Sequence, residues 1–332
     1  MEKKLGQATR DAYGKTLVEL GKTHPQLVVL DADLSKSTKS VEFAKAFPER
    51  FINVGIQEAN LVGVASGLAA CGKIPFISSF ASFLVCKGFD QFRMGVAYSQ
   101  LNVKVVGSHG GISVGEDGAS QMAIEDIALM TSLPNFTVMI PADEFSTRAL
   151  VKQAADLPRP VYMRTSRPKS PVIYGPETRF EIGKGVRVRE GSDVTLIANG
   201  LLVFEALHAA ELLQAEGVSA SVVDMHTIKP LDEALLLEEA VKTGRIVVCE
   251  EHQIWGGLGS AVSTFLSRKH PCRMEFVAIQ DTFAESGTAE GLFEKYGLTA
   301  PHIVRAAQRV LDKIKSCLVF VRISNRSEKC LI

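Results

Sequence analysis

Short apolar runs of strand length alternate with amphipathic stretches of helix length through almost the whole chain. That alternation is what most constrains its fold. In the first half "QLVVLDADL", "IPFISSF", "NVKVVGSHGG", "FTVMIPAD" and "PVYMRTSRP" read as strands, with another over Phe51 to Ile56. The stretches "ATRDAYGKTLVELGKTH", "VEFAKAFPERF", "GFDQFRMGVAYSQ", "SQMAIEDIALMTSLP" and "FSTRALVKQAADL" read as helices, and so does the Gly- and Ala-rich segment after Asn60. Strands of about four to eight residues that alternate with helices imply a parallel, doubly wound sheet. From about Arg167 to Asp193 the pattern lapses into Pro- and Gly-punctuated sequence, "RPKSPVIYGPETRFEIGKG", which reads as a linker with room for an edge hairpin. A second alternation follows, with strands in "DVTLIANG", "VSASVVDMHTIKP", "RIVVCEE" and "MEFVAIQD" and helices between and after them. The sequence therefore predicts an α/β protein of two doubly wound domains, over 5–168 and 193–315, with a linker over 169–192 and a tail over 316–332.

Composition removes several classes of function. The chain of 332 residues carries 37 Lys+Arg against 37 Asp+Glu, so its formal net charge is zero. Nothing in that balance suggests nucleic acid, and no polybasic run suggests an anionic membrane. No stretch approaches the roughly 18 unbroken apolar residues of a membrane span. The N-terminus "MEKKLGQATRDAYGK" lacks the apolar core of a signal peptide. The six cysteines show neither CxxC spacing nor pairing with His, so reduced thiols in a cytoplasmic protein are expected. A mean hydropathy of +0.13 is slightly apolar for a monomer and compatible with a large buried interface.

Sites in open α/β sheets lie beyond the C-terminal ends of the strands. The polar residues there are Asp31 and Asp33, Gln57 and Glu58, Ser78 and Ser79, Ser108 to Gly111, and Arg164 with Arg167. Glu58 has two readings. As a first-turn acid it gains about 0.3–1 kcal/mol from the helix dipole. As a carboxylate at the mouth of an apolar segment it is a proton-transfer group. Phe80 and Phe83 lie just past a strand, where aromatics pack in the core or stack on a flat heterocycle. "GSHGGISVGEDGASQMAIED" (Gly107 to Asp126) places five glycines, His109 and an acidic pair between a strand and a helix. It reads either as a Gly-rich surface turn with Asp117 as a helix cap, or as a loop close to a ligand, with His109 on a sugar hydroxyl or phosphate and Asp117 accepting from a hydroxyl. "GEDG" lacks the following Asn of a G-D-G…N metal-diphosphate motif. "WGGLGSA" lacks the strand-and-turn setting of a dinucleotide loop.

Taken in order, "ATRDAYGKTLVEL", "DADLSKS", "VGIQEAN", "SFASFLVCKGFDQFRM", the Gly107–Asp126 stretch, "YMRTSRP" and "VVDMHTIKPLD" resemble the C-terminal half of transketolases, over about residues 5 to 315. The resemblance implies a pyrimidine-binding domain followed by a transketolase C-terminal domain, with thiamine diphosphate as cofactor. Glu58 then matches the catalytic carboxylate that shares a proton with the aminopyrimidine ring. Phe83 resembles the ring that stacks on that pyrimidine, with Phe80 beside it. Asp33 resembles a loop acid near the cofactor and the dimer contact. His109 and Asp117 resemble substrate-hydroxyl contacts. Arg10, Ser37 and Arg167 match the cluster that holds the phosphate end of the sugar. Gln121 takes a position that is His in some members and Gln in others. An aromatic expected after Phe83 is absent, with Cys86 and Lys87 in its place.

The diphosphate-binding domain of full transketolases has no counterpart in this sequence. The resemblance thus implies a C-terminal subunit that works with an N-terminal-section partner, as an α2β2 assembly. The partner would hold most of the Mg2+ site, and this chain would supply no metal ligand. The expected reaction passes a two-carbon ketol unit from a ketose phosphate to an aldose phosphate, in general pentose phosphate metabolism or with one unusual catabolic sugar. The alternatives are the beta chain of a 2-oxo-acid dehydrogenase, a deoxyxylulose phosphate synthase, and a non-catalytic subunit that keeps the fold.

Overall fold

The computed structural model describes residues 3–312. The expected tail over 316–332, and residues 313–315 of the expected second domain, lie outside the described residues. The first unit opens with α1 (Thr9–Thr23), β1 (Leu27–Asp31), α2 (Ser35–Thr38), α3 (Val41–Ala46), a 3-10 turn at Pro48–Arg50 and β2 (Phe51–Asn53). It continues through α4 (Glu58–Ala70), β3 (Ile74–Phe80), α5 (Ala81–Gln91), a π-helical extension over Phe92–Tyr98 and β4 (Lys104–Ser108). It ends with α6 (Asp126–Ser132), β5 (Thr137–Met139), α7 (Glu144–Asp156) and β6 (Val161–Thr165). The second unit begins with β7 (Val186–Arg189), β8 (Val194–Ala198), α8 (Leu202–Ala215), β9 (Ala220–Asp224), β10 (Thr227–Lys229) and α9 (Glu233–Thr243). Then come β11 (Arg245–Gln253), α10 (Leu258–Lys269), β12 (Arg273–Ile279), α11 (Ala289–Lys295) and α12 (Ala300–Leu311).

Both sheets are doubly wound, as the alternation predicts. The seven-stranded sheet runs β10-β5-β6-β4-β3-β1-β2 and the five-stranded sheet runs β12-β11-β8-β9-β7. In the larger sheet every pairing is parallel except that of β10 with β5. The strands read as unbroken apolar runs because helices cover both faces. Leu30, Ile77 and Val105 pack on one side, toward Leu61, Val62 and Leu84. Val29, Phe76 and Val106 pack on the other, among Tyr13, Leu17 and Leu150. Each such fully buried Leu, Val, Ile or Phe contributes about 1.5–3 kcal/mol relative to exposure. The winding direction reverses between β1 and β3, the switch point beyond whose strand ends a ligand would lie in such a sheet.

Several local expectations are corrected. "VSASVVDMHTIKP" is two strands. β9 belongs to the smaller sheet, whereas β10 crosses over and pairs antiparallel with β5, Thr227 opposite Met139. The stretch read as a linker contributes the edge strand β7, which pairs with β9 in place of forming a local hairpin. α5 begins at Ala81, directly after β3, and α6 begins only at Asp126 because the Gly-rich loop runs on through Ile124. β2 stops at Asn53, and α2 and α11 are elements the pattern did not predict.

The segment between the units is anchored by buried carboxylates. Asp143 caps α7 by accepting from the N–H groups of Phe145 (3.1 Å) and Ser146 (2.9 Å), and its other oxygen accepts from Ile173 (3.1 Å) and Tyr174 (3.0 Å). The Tyr174 hydroxyl then donates to Asp224 at the end of β9 (2.7 Å). Burial pushes the Asp224 carboxyl up to about 8, although the Tyr174 bond opposes the rise. The folded chain therefore binds this proton more tightly than the unfolded chain. That stabilisation is complete below the unfolded value of about 3.9 and is lost as pH rises toward the folded one. Relative to Asp224→Asn, the wild type should lose stability by up to about 1.4 kcal/mol per pH unit within that window. Urea unfolding of both proteins at about pH 5 and about pH 8 measures this, and a difference that does not change with pH would rule it out.

Candidate functional site

The site is built on the C-terminal ends of β1, β3 and β4 and on the first turns of α4 and α5. Asp31, buried at the end of β1, accepts from Leu34 N (2.6 Å), Thr38 Oγ1 (2.7 Å) and Ser40 Oγ (2.8 Å). Burial pushes its carboxyl up to about 6. These three bonds fold the β1–α2 loop back on itself and fix the carbonyl of Ser37. Arg10, from the first turn of α1, donates through Nη1 to that carbonyl (3.0 Å) and to His109 Nε2 (3.1 Å).

His109 follows β4 in a left-handed conformation, φ +60°, and is 2% exposed. Burial, with the charges of Arg10, Arg167 and Lys39 added, lowers its pKa to about 3, so the ring is neutral at working pH. A guanidinium can only donate, so Nε2 is an acceptor. The ring proton then lies on Nδ1, which faces Ser108 Oγ at 2.8 Å. The imidazole stacks on Phe80, with ring centroids 3.9 Å apart, and Phe80 stacks on Phe83 at 5.6 Å.

Glu58 is the first residue of α4 and is 3% exposed. Its carboxylate accepts from Ser79 Oγ at 3.5 Å and meets Lys87 Nζ at 3.4 Å, and the same ammonium lies 4.6 Å from the centroid of Phe83. The predicted residues Glu58, Phe83, Phe80, His109, Arg10 and Ser37 therefore form one line of contacts, closed between the acid and the ring by Lys87.

Arg167 stands at the rim, donating to the carbonyl of Val114 and to Glu116 Oε2 (2.8 Å). Burial and the charge of Arg167 lower the pKa of Arg10, which the nearby Asp11 partly offsets. The Arg10 Nε is buried with no hydrogen-bond partner among the described residues. Two neighbouring guanidiniums, one with an unused donor, make a local excess of positive charge suited to an anion.

The remaining predicted residues sit around this line and not in it. Asp33, at φ +66°, accepts from Asn53 Nδ2 (2.9 Å) at the end of β2. Gln121 accepts through its side chain from Ser120, and through its carbonyl from Ser82 Oγ (3.1 Å). Asp117 is exposed on the Gly-rich loop and does not cap α6, whose helix starts at Asp126. Gly118, at φ +80°, anchors that loop against the second unit. A Cβ there would lie 2.5 Å from Ser286 Oγ, which rotation of Ser286 can relieve, but the positive φ strains any residue other than glycine.

Arg164, a candidate by its place at a strand end, is a structural residue. It is buried, pairs with Asp126 inside the first unit (Nε to Oδ2, 2.9 Å) and ties that unit to the second through the Glu251 carbonyl (2.7 Å). Lys87 is the site residue that sequence reasoning passed over as a departure from the family pattern. The available signal was its i, i+4 spacing from Phe83, which places both on one face of α5.

Family models describe residues 6–172 as a transketolase pyrimidine-binding domain and residues 183–303 as a transketolase C-terminal domain. A solved structure described as a split gene transketolase, inactive beta4 tetramer, is 53% identical, with a TM-score of 0.87, and the match covers 92% of this chain and 99% of that one. A Methanocaldococcus jannaschii chain named for the transketolase C-terminal section is 45% identical over 92% of this chain and 96% of its own length. A 6-deoxy-6-sulfo-D-fructose transketolase subunit of Clostridium sp. is 42% identical over 92% and 94%. Human transketolase is 40% identical, and there the match covers 92% of this chain but 49% of the relative. With both domains matched in order and relatives of this identity aligned along nearly their full length, the chain belongs to the transketolase family.

Proposed function

We propose that this chain is the C-terminal subunit of a split transketolase, which moves a two-carbon ketol unit from a ketose phosphate to an aldose phosphate. The observation that carries the reading is the unbroken line from buried Glu58, past the faces of Phe83 and Phe80, to neutral His109 and the cation Arg10. It has an acid and aromatic faces at one end and anion-binding groups at the other, which is the order in which a pyrimidine and a sugar phosphate would lie. The residues fit the pyrimidine end of thiamine diphosphate. That cofactor, when bound, supplies the carbon nucleophile and electron sink that protein side chains lack. Glu58 would hold a proton at the pyrimidine nitrogen, and Phe83 would orient the ring by stacking, with Phe80 packed between Phe83 and His109. His109 Nε2, which accepts from Arg10 in this structure, would accept from a sugar hydroxyl once Arg10 turns to the terminal phosphate beside Arg167.

Among the described residues no group of three His, Cys, Asp or Glu is placed to hold a metal ion. Mg2+ and the diphosphate would be held by an N-terminal-section partner, with the site formed between chains of an α2β2 assembly. The name of the split-gene relative, an inactive beta4 tetramer, supports the need for a second kind of chain. A cytoplasmic setting belongs to the same proposal, supported by the free thiols of Cys71, Cys86, Cys249 and Cys272.

The test is reconstitution with the partner, thiamine diphosphate and Mg2+, assayed for ketol transfer. The expected result is no turnover by this chain alone and turnover by the mixture. Transfer to a lipoyl group in place of an aldose would overturn the reading in favour of a 2-oxo-acid dehydrogenase. The Clostridium relative favours a second reading, in which the donor is one unusual sugar such as a sulfonated ketose. Rates with sulfonated and phosphorylated donors at equal concentration separate the two.

His109→Ala should lower kcat/KM for phosphorylated sugars by about 10- to 100-fold, the worth of a hydrogen bond to a charged or polarised group. Steady-state kinetics with donor and acceptor varied in turn give the number. Unchanged KM and kcat would remove His109 from the substrate site.

A further inference from the structure

Lys87 occupies the space between the acid and the ring that together would receive the pyrimidine. Its ammonium lies 3.4 Å from Glu58 Oε2 and 4.6 Å from the centroid of Phe83. A flat ring that stacked on Phe83 and hydrogen-bonded Glu58 would compete for the same two groups that the Lys87 ammonium now touches. Helix geometry sets this placement, since Phe83 and Lys87 lie four residues apart on α5 and share a face. The end of the side chain is free to leave, because the Lys87 side chain is 54% exposed and has a flexible four-carbon stem. Without it Glu58 keeps only the long 3.5 Å bond from Ser79.

We propose that Lys87 is a displaceable cap on the pyrimidine site: it pairs with Glu58 and lies against the face of Phe83, and it gives up both contacts to the cofactor. The inference rests on the thiamine diphosphate reading given above. Lys87 competes with the cofactor, so it sets cofactor affinity and not the chemistry. An exposed ion pair and a cation–ring contact together correspond to about three- to ten-fold in a binding constant.

The experiment is calorimetric titration of thiamine diphosphate, with Mg2+ present, into the cofactor-stripped complex of this chain and its partner. Lys87→Met should tighten binding three- to ten-fold, and Lys87→Arg, which keeps the charge, should stay near wild type. Added salt should narrow the gap between wild type and Lys87→Met, because it weakens the pair being broken. Binding of Lys87→Met that is unchanged or weaker would overturn the cap, the weaker case making Lys87 a contact to the bound cofactor. A wild-type complex that binds no thiamine diphosphate would overturn the reading of function itself. The two failures are therefore distinct.

Discussion

Glu58→Gln is expected to lower turnover of the assembled enzyme by about 10³-fold while leaving the complex intact, which is the scale of a lost proton-transfer group. The substitution keeps the shape of the side chain and an oxygen to accept from Ser79. It removes the one property the proposed role needs, an exchangeable proton at the carboxyl. The ion pair with Lys87 disappears too, but one of its partners is largely exposed, so that loss costs at most about 1 kcal/mol of stability. Thermal unfolding and sedimentation of the variant complex should match wild type, and steady-state kinetics should show a fall in kcat. An assembled variant that retained more than about a tenth of wild-type activity would remove Glu58 from proton transfer.

Arg164→Met should destabilise the fold by about 3–5 kcal/mol, because it leaves a buried carboxylate without its counter-charge. Arg164 is 5% exposed and Asp126 is 1% exposed, and Tyr162 also donates to Asp126. Burial by itself would raise the Asp126 carboxyl. The charge and hydrogen bonds of Arg164 outweigh burial and hold it below the usual carboxylate range. An acid depressed in the folded state contributes stability above its unfolded value of about 3.9, and that contribution is lost as pH falls through the folded value. The deficit of the variant should therefore be largest near neutral pH and shrink toward acid. Adding Asp126→Asn should recover part of the loss, since a neutral amide needs no counter-charge and can still accept from Tyr162. Urea unfolding across pH is the measurement. A single variant within about 0.5 kcal/mol of wild type would show that the pair holds nothing together.

The first sheet was legible because its strands answer to local chemistry. "LVVLD" is apolar at every position that a helix covers on either face, and no other arrangement hides both Val29 and Leu30. "VSASVVDMHTIKP" was misread because β9 and β10 are each good strands, and their separation depends on which sheet edge is free. β10 joins β5 across the unit boundary, a pairing about 90 residues distant in sequence that no local window contains. Arg164 failed as a site residue for a related reason. Its place at a strand end is common to ligand contacts and interdomain ties, and only the position of Glu251 on β11 decides between them.

The sequence by itself determined the alternation, the two α/β units, the acid at the head of α4 and the family, because these depend on residue type and order. The tertiary structure decided which polar groups meet. It set His109 between Arg10 and Phe80, left Asp117 and Asp33 outside that line, and laid Lys87 over Phe83 and Glu58. Such meetings join the ends of separate strands, and their distances follow from sheet order and helix packing, which no single segment encodes.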